Sequence, residues 1–297
     1  MSDTSVKAEI GIGPVKLSVT APVRSLTRFM TASKAAQGPA LVAKRFLQVF
    51  ADHGVQITQI PHFLPQIGLD SLSSTEKLLP ALTPSVLEQT AELFGVRREW
   101  LDCVSDVIYR CRHCYKTPQR FFDDLREIHD DDAWFCVRAL TNTMELDRNG
   151  GAGQNLVLIM QKTLKRTHDE EIYSYAIDGD AWDWSYAPSR IQLKAMARLT
   201  FLATDCPVPL FKVSRKTLES VRDGMAVPRA LTEGCLITNP SLEDYALSLD
   251  ESGQARETEE LDRVLKYIEV KGLDEKVEGL FPSYRVRRQA SSGGQGD

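Results

Sequence analysis

Two thiols and an imidazole stand together in "YRCRHCYK", where two residues, Arg112 and His113, separate Cys111 from Cys114. That spacing suits one edge of a zinc tetrahedron, because two thiolates three positions apart can face one ion. A closed structural site takes four ligands, usually from two such pairs, and the chain has no second C-x-x-C. Cys103, Cys136 and His129 are the nearest residues that could complete a set. A lone pair is more often packed than metal-bound, so no metal and no cofactor are expected, Cys111 and Cys114 being the candidates for one. A thioredoxin-type role fits less well, since the pair does not open a helix after a strand.

The carboxylates tell a plainer story. Asp130, Asp131 and Asp132, and the pair Asp178 and Asp180, read as solvated turns, with no His or nucleophile at a legible spacing beside them. The five His are scattered, and no enzyme is expected. "DRNGGAGQ" is Gly-rich but lacks the Lys-Ser/Thr ending of a phosphate loop, so it reads as a turn between two strands. "DGDAWDWSYAPSR" is less ordinary: Trp182, Trp184 and Tyr186 alternate as a strand edge does, and Arg190 follows at the start of a helix. Trp, Tyr and Arg are enriched at binding surfaces, which makes these four the candidates for a small-molecule or dimer contact. The competing reading, that both Trp rings pack a helix onto a sheet, is favoured because large aromatics dominate cores too.

Elements must position these residues. "ALVAKRFLQVFADHG" has helical spacing of Leu41, Phe46, Leu47, Val49 and Phe50 and stops at Gly54. "LTPSVLEQTAELFGV" gives a helix with Thr83 as cap, Pro84 at its first position and Gly95 as left-handed stop. "TPQRFFDDLREIH" repeats the device with Thr117 and Pro118. From there the period changes to two: "AWFCVRALTNTMEL" and "NLVLIMQKTLKR" predict an antiparallel hairpin, and "EIYSYAI" and "VPLFKVS" two further strands. "PSRIQLKAMARLTFLA", "RKTLESVRDGM" and "ETEELDRVLKYIEV" are helical. The expected fold class is α+β: a helical domain at 39–104, then an α+β domain with an antiparallel sheet at 117–272. A basic flexible arm at 1–38, partly extended with a short helix "RSLTRFMTASKAA", precedes them. A tail of disorder-type composition at 282–297 closes the chain.

At 297 residues, 42% apolar and 26% charged, the chain can bury a core of ordinary size and has the length of two domains. No apolar run follows a basic start, no window approaches a membrane span, and the six cysteines lack the pattern of a disulfide framework. A cytoplasmic protein with reduced thiols and no membrane partner is expected. The net charge of −5 does not announce a nucleic-acid binder, yet residues 1–50 carry seven Lys and Arg against Asp3 and Glu9.

Over about a fifth of the chain, the helical stretch resembles the lambda-repressor-like (Cro/CI-type) helix-turn-helix domain. "VLEQTAELFGVRREWL" carries that family's closing helix pair, and "GVQITQI" its first turn and the opening of its second helix. The resemblance implies a third helix, in "LDSLSSTEKLLPAL", that enters the major groove of duplex DNA. Carried onto this sequence, it gives Thr58, Gln59, Ser71, Ser73, Ser74, Thr75 and Lys77 as DNA contacts, while the basic residues Arg24, Arg28, Lys44 and Arg45 are expected on phosphate or in a minor groove, as basic arms are in other folds. The middle departs from the family: Pro61 and Pro65 interrupt the second helix, and the third has one Lys and no Arg, Asn or Gln, the usual base readers. The order of elements beyond residue 117 resembles PAS- or GAF-type sensor domains at the level of fold alone. Together these imply a transcriptional regulator of bacterial or mobile-element type that binds duplex DNA and self-associates. The alternatives are an adaptor that uses the same scaffold for protein contact, and an enzyme in the α+β part.

Overall fold

The computed structural model describes residues 5–12, 15–22, 38–129, 135–166, 171–229, 235–237, 241–242, 255–281 and 284. Where the arm was expected, strands β1 (Ser5–Ile12) and β2 (Val15–Pro22) pair as an antiparallel hairpin. The short helix expected at 24–36 lies outside the described residues, as does the tail expected at 282–297 apart from Tyr284, which is buried in the core rather than free in a tail. The helical stretch runs through α1 (Gly38–Asp52), α2 (Thr75–Leu78), α3 (Pro84–Phe94) and α4 (Arg98–Leu101). Helix α5 (Pro118–Ile128) leads to strands β3 (Phe135–Thr141), β4 (Asn155–Arg166), β5 (Glu171–Ile177) and β6 (Trp182–Asp183). Then come α6 (Ala187–Thr204), β7 (Leu210–Lys212), α7 (Arg215–Arg222), β8 (Cys235–Ile237), α8 (Ala255–Val270) and α9 (Leu273–Leu280). No described helix is long and apolar enough to cross a membrane.

The fold is α+β, and its six-stranded sheet has the order β5-β4-β3-β7-β8 with β6 beside β4. Where an antiparallel sheet was expected, it is mixed: β7 pairs parallel to β3, all other pairs being antiparallel. The long helix α6 carries the chain back across the sheet before β7, which is what a parallel neighbour requires.

The sheet is covered on both faces, which explains why "NLVLIM" is continuously apolar rather than alternating. Val137, Ala139, Leu156, Leu158, Met160 and Leu210 face a core built with α5, α6, α8 and α9. Leu140, Val157, Ile159, Tyr175, Ile177 and Phe211 face the opposite way, into one core shared with α1, α3, α4 and α7. The helical stretch is thus one outer layer of a three-layer body, sharing its core with the sheet.

Local chemistry explains α3. The Thr83 hydroxyl accepts the Val86 N–H, and Gly95 ends the helix at φ +69° with its N–H turned back to Ala91 and Glu92. Val86, Leu87, Ala91 and Phe94 are buried, as their spacing requires. Gly95 has a second duty: a Cβ there would lie 2.9 Å from the Tyr175 carbonyl oxygen of β5. Thr117 occupies the cap position of α5, but its side chain makes no capping bond.

Candidate functional site

The stretch that the family resemblance assigns to DNA is uncovered. Two turns of 3₁₀ helix, Ile57–His62 and Ser71–Ser73, flank a loop, and the four-residue α2 follows. Leu72 and Leu78 bury themselves and hold the segment on the layer, while Ser73, Ser74, Thr75 and Lys77 are exposed and Ser71 is half-buried. Thr58 is exposed, and Gln59 is half-buried with its side-chain oxygen accepting the Gln56 N–H at 2.9 Å. The second helix of the resemblance is therefore a short 3₁₀ helix, and the third is broken into short turns, Ser71–Ser73, Thr75–Leu78 and a 3₁₀ turn at Leu79–Ala81. Pro61 lies inside the first, and Pro80 lies in the 3₁₀ turn that follows α2 directly. The one Lys is already engaged: Lys77 Nζ sits 2.6 Å from Asp70 Oδ1.

The basic candidates separate. Lys44 is exposed on α1, while Arg24 and Arg28 lie outside the described residues. Arg45 points inward, a correction to its placement on phosphate. Its guanidinium donates to the backbone oxygens of Trp100 and Ser105, pairs with Asp106 at 3.0 Å and lies over the Trp100 ring at 5.3 Å. Long side chains on a helix face are as able to clamp a neighbouring loop as to reach solvent.

Of the aromatic candidates, Trp182 and Trp184 are wholly buried and only Tyr186 is exposed, so the packing alternative describes both Trp rings. Arg190 is buried too, and lines no open surface. Its guanidinium takes the Trp184 carbonyl at 2.6 Å and Glu260 at 2.8–2.9 Å, while Lys194 reaches the other Glu260 oxygen at 2.6 Å and lies over Trp184 at 5.5 Å. Two buried cations on α6 thus share one buried carboxylate on α8. Nothing in the sequence paired Glu260 with residues seventy positions away.

The two thiols of the C-x-x-C stretch take different partners. Cys111 donates to the Arg222 carbonyl at 3.1 Å, and burial pushes its thiol up to about 11. Cys114 instead meets the two carboxylates read as a solvated turn: its thiol lies 3.2 Å from Asp178 Oδ2, which also accepts the Trp182 indole N–H at 2.8 Å. Asp178 is 3% exposed, and burial, reinforced by the neighbouring Asp180, raises its carboxyl to about 7. Asp180 Oδ2 accepts the N–H groups of Cys114 and Tyr115 at 2.7 Å each, and its Oδ1 lies 3.1 Å from His113 Nδ1. The β5–β6 turn therefore holds the 111–115 link, and a parallel bridge between Arg112 and Asp178 runs beside it.

Next to this junction a cleft of about 830 Å³ opens between α3, the link, α5 and the outer edge of β5. Arg110, Arg112, Arg120, Glu92, Asp124 and Glu127 are among the residues around it. Arg112 bonds both Asp124 and Glu127, so part of this charge is neutralised within the cleft itself. It presents no apolar lining with a few convergent polar groups, the usual form of a small-molecule site. No protein-family model matches this chain, and neither do any curated protein or solved structure.

Proposed function

We propose that this protein acts by contact: an adaptor in which the helical layer offers its Ile57–Lys77 face to another protein surface, in the first instance a second copy of the chain. The observation that carries this reading is the makeup of that face. Ile57 and Leu69 are 46% and 58% exposed, and after them in the chain come the exposed, uncharged Ser73, Ser74 and Thr75. Asp70 and Glu76 outnumber Lys77, so the segment is net negative and repels phosphate. Helix α2 is one α-turn continued by a 3₁₀ turn at Leu79–Ala81, and its exposed residues include Lys77 but no Arg, Asn or Gln, the usual base readers. Half-exposed apolar residues in a polar setting fit the centre and rim of a protein interface.

Sedimentation velocity over a concentration series tests this. The wild type should associate, and Ile57→Asp with Leu69→Asp should shift it to monomer with the circular dichroism spectrum unchanged. A wild type that stays monomeric at every concentration, and is indistinguishable from the variant, removes the second-copy assignment.

Duplex DNA is the second reading, favoured by the seven Lys and Arg among residues 1–50. On that reading the β1–β2 hairpin and the residues after it carry the phosphate contacts, and random duplex binds at low salt with a steep salt dependence. Absence of binding at low salt removes it.

A further inference from the structure

Four side chains of three donor types converge where the 111–115 link meets the β5–β6 turn: the Cys114 thiol, the His113 imidazole and the carboxylates of Asp178 and Asp180. The donor atoms of Cys114, Asp178 and Asp180 all lie within 4.8 Å of one another, and His113 Nδ1 is 3.1 Å from Asp180 Oδ1. In a tetrahedron with zinc bonds of about 2.0–2.3 Å the ligand atoms stand roughly 3.3–3.7 Å apart, so Cys114, Asp178 and Asp180 need a modest contraction, and the largely exposed His113 ring has to turn in from Asp180 to become the fourth ligand. Each carboxylate is aimed by a group outside the donor set. The Trp182 N–H fixes Asp178, and the Tyr115 N–H helps fix Oδ2 of Asp180, leaving Oδ1 on the side of His113. Gln192 orients the thiol's own segment, donating to the Cys114 carbonyl at 3.0 Å and accepting the Lys116 N–H at 3.0 Å. Such outer donors are what orient metal-binding side chains.

Electrostatics supplies an independent reason. Asp178 and Cys114 are 3% and 2% exposed, and Asp180 stands beside them, yet among the described residues no Lys or Arg pairs with either carboxylate. The nearby Arg112 is committed to Asp124 and Glu127. Among the described residues the one ion pair these carboxylates make is that of Asp180 with a largely exposed imidazole, and a buried acidic group without a cation either keeps its proton or exchanges it for a metal.

We propose that Cys114, His113, Asp178 and Asp180 form a binding site for a borderline divalent cation of the zinc class, which closes the link onto the sheet. A mixed sulfur, nitrogen and oxygen set disfavours magnesium and calcium, which take oxygen. On binding, the ion takes the thiolate sulfur and the thiol proton leaves to solvent. Cys111, which the C-x-x-C spacing would enlist, has no part in it.

Cobalt(II) added to the full-length, chelator-treated protein provides the test. A thiolate-to-cobalt charge-transfer band should appear, reach its plateau at one equivalent, and be displaced by zinc. Cys111→Ser should keep the band, His113→Ala should weaken binding at least tenfold, and Cys114→Ser should lose the band. The absence of any thiolate band in folded wild-type protein overturns the proposal without recourse to a variant. Loss of the band in Cys111→Ser, with the fold intact, overturns this ligand set in favour of the C-x-x-C pair.

Discussion

Tyr109 donates its hydroxyl proton to Nε2 of His53 across 2.9 Å, tying the link to the end of α1 inside the shared core. The direction follows from the other ring nitrogen. His53 Nδ1 is 2.6 Å from the Val49 carbonyl, which can only accept, so Nδ1 carries the hydrogen and Nε2 is the acceptor. Phe94 lies 4.3 Å from the imidazole and Tyr175 5.7 Å, placing α1, α3, the link and β5 around one neutral ring.

His53 makes stability fall on acidification. Burial, with a smaller push from the Arg229 guanidinium, lowers its pKa from 6.5 to about 4. The unfolded chain therefore binds a proton that the folded one refuses between those values, and stability is lost as pH falls from 6.5 toward 4. At roughly 1.4 kcal/mol per unit the full effect is about 3 kcal/mol. Urea unfolding at pH 7 and pH 4.5 should show a larger drop for the wild type than for His53→Gln. Equal drops would mean that the ring ionises within the fold.

Gly95 carries two requirements, so Gly95→Ala should cost more than either predicts. The left-handed conformation alone costs an L-residue about 1–2 kcal/mol. The new Cβ would also stand 2.9 Å from a backbone oxygen, that of Tyr175, which cannot swing aside like a side-chain tip. Gly151→Ala is the control, having open space and no positive φ. Thermal unfolding should show a clear loss for the first substitution and little change for the second.

The cap and stop of α3 could be read straight from Thr83, Pro84 and Gly95, because capping is local chemistry within a dozen residues. Strands β4 and β5 and helices α6 and α8 were similarly legible from period and composition. The closing half of the helix-turn-helix resemblance is also the half whose apolar residues pack as spaced: Ala91, Val96, Trp100 and Leu101 are all buried. What spacing could not convey is pairing across the chain. The parallel contact of β7 with β3, the Glu260 carboxylate between Arg190 and Lys194, and the burial of Asp178 all join residues far apart in sequence. Charged residues look solvated until their partners are known, and the partners of Arg45, Arg190 and Asp178 all lie on other elements.

Glu260→Ala should be among the most damaging single substitutions in the chain. It strands Arg190 and Lys194, whose side chains are 6% and 0% exposed, without their carboxylate, and breaking a buried ion pair typically costs about 3–5 kcal/mol. Replacing all three by apolar residues of similar volume should recover much of that loss. Denaturant titrations of the single and triple variants check this, and a triple variant no better than the single would deny the charges their part.

Arg45 and Lys44 are neighbours in sequence with opposite environments, and comparing them separates structure from phosphate contact. Arg45→Ala removes two bonds to backbone oxygens, the Asp106 pair and the contact over Trp100, and leaves the part-buried Trp100 and Ser105 carbonyls without that donor. A loss of about 1–3 kcal/mol is expected, at about 1–3 kcal/mol for an unsatisfied buried group. Lys44→Ala, at an exposed position, should leave stability unchanged within about 0.5 kcal/mol. If duplex DNA is bound, Lys44→Ala should also lower the slope of log affinity against log salt by about one, the mark of one lost phosphate contact. Arg45→Ala should leave that slope unchanged wherever the variant remains folded, since its guanidinium is already committed to the loop at 100–106.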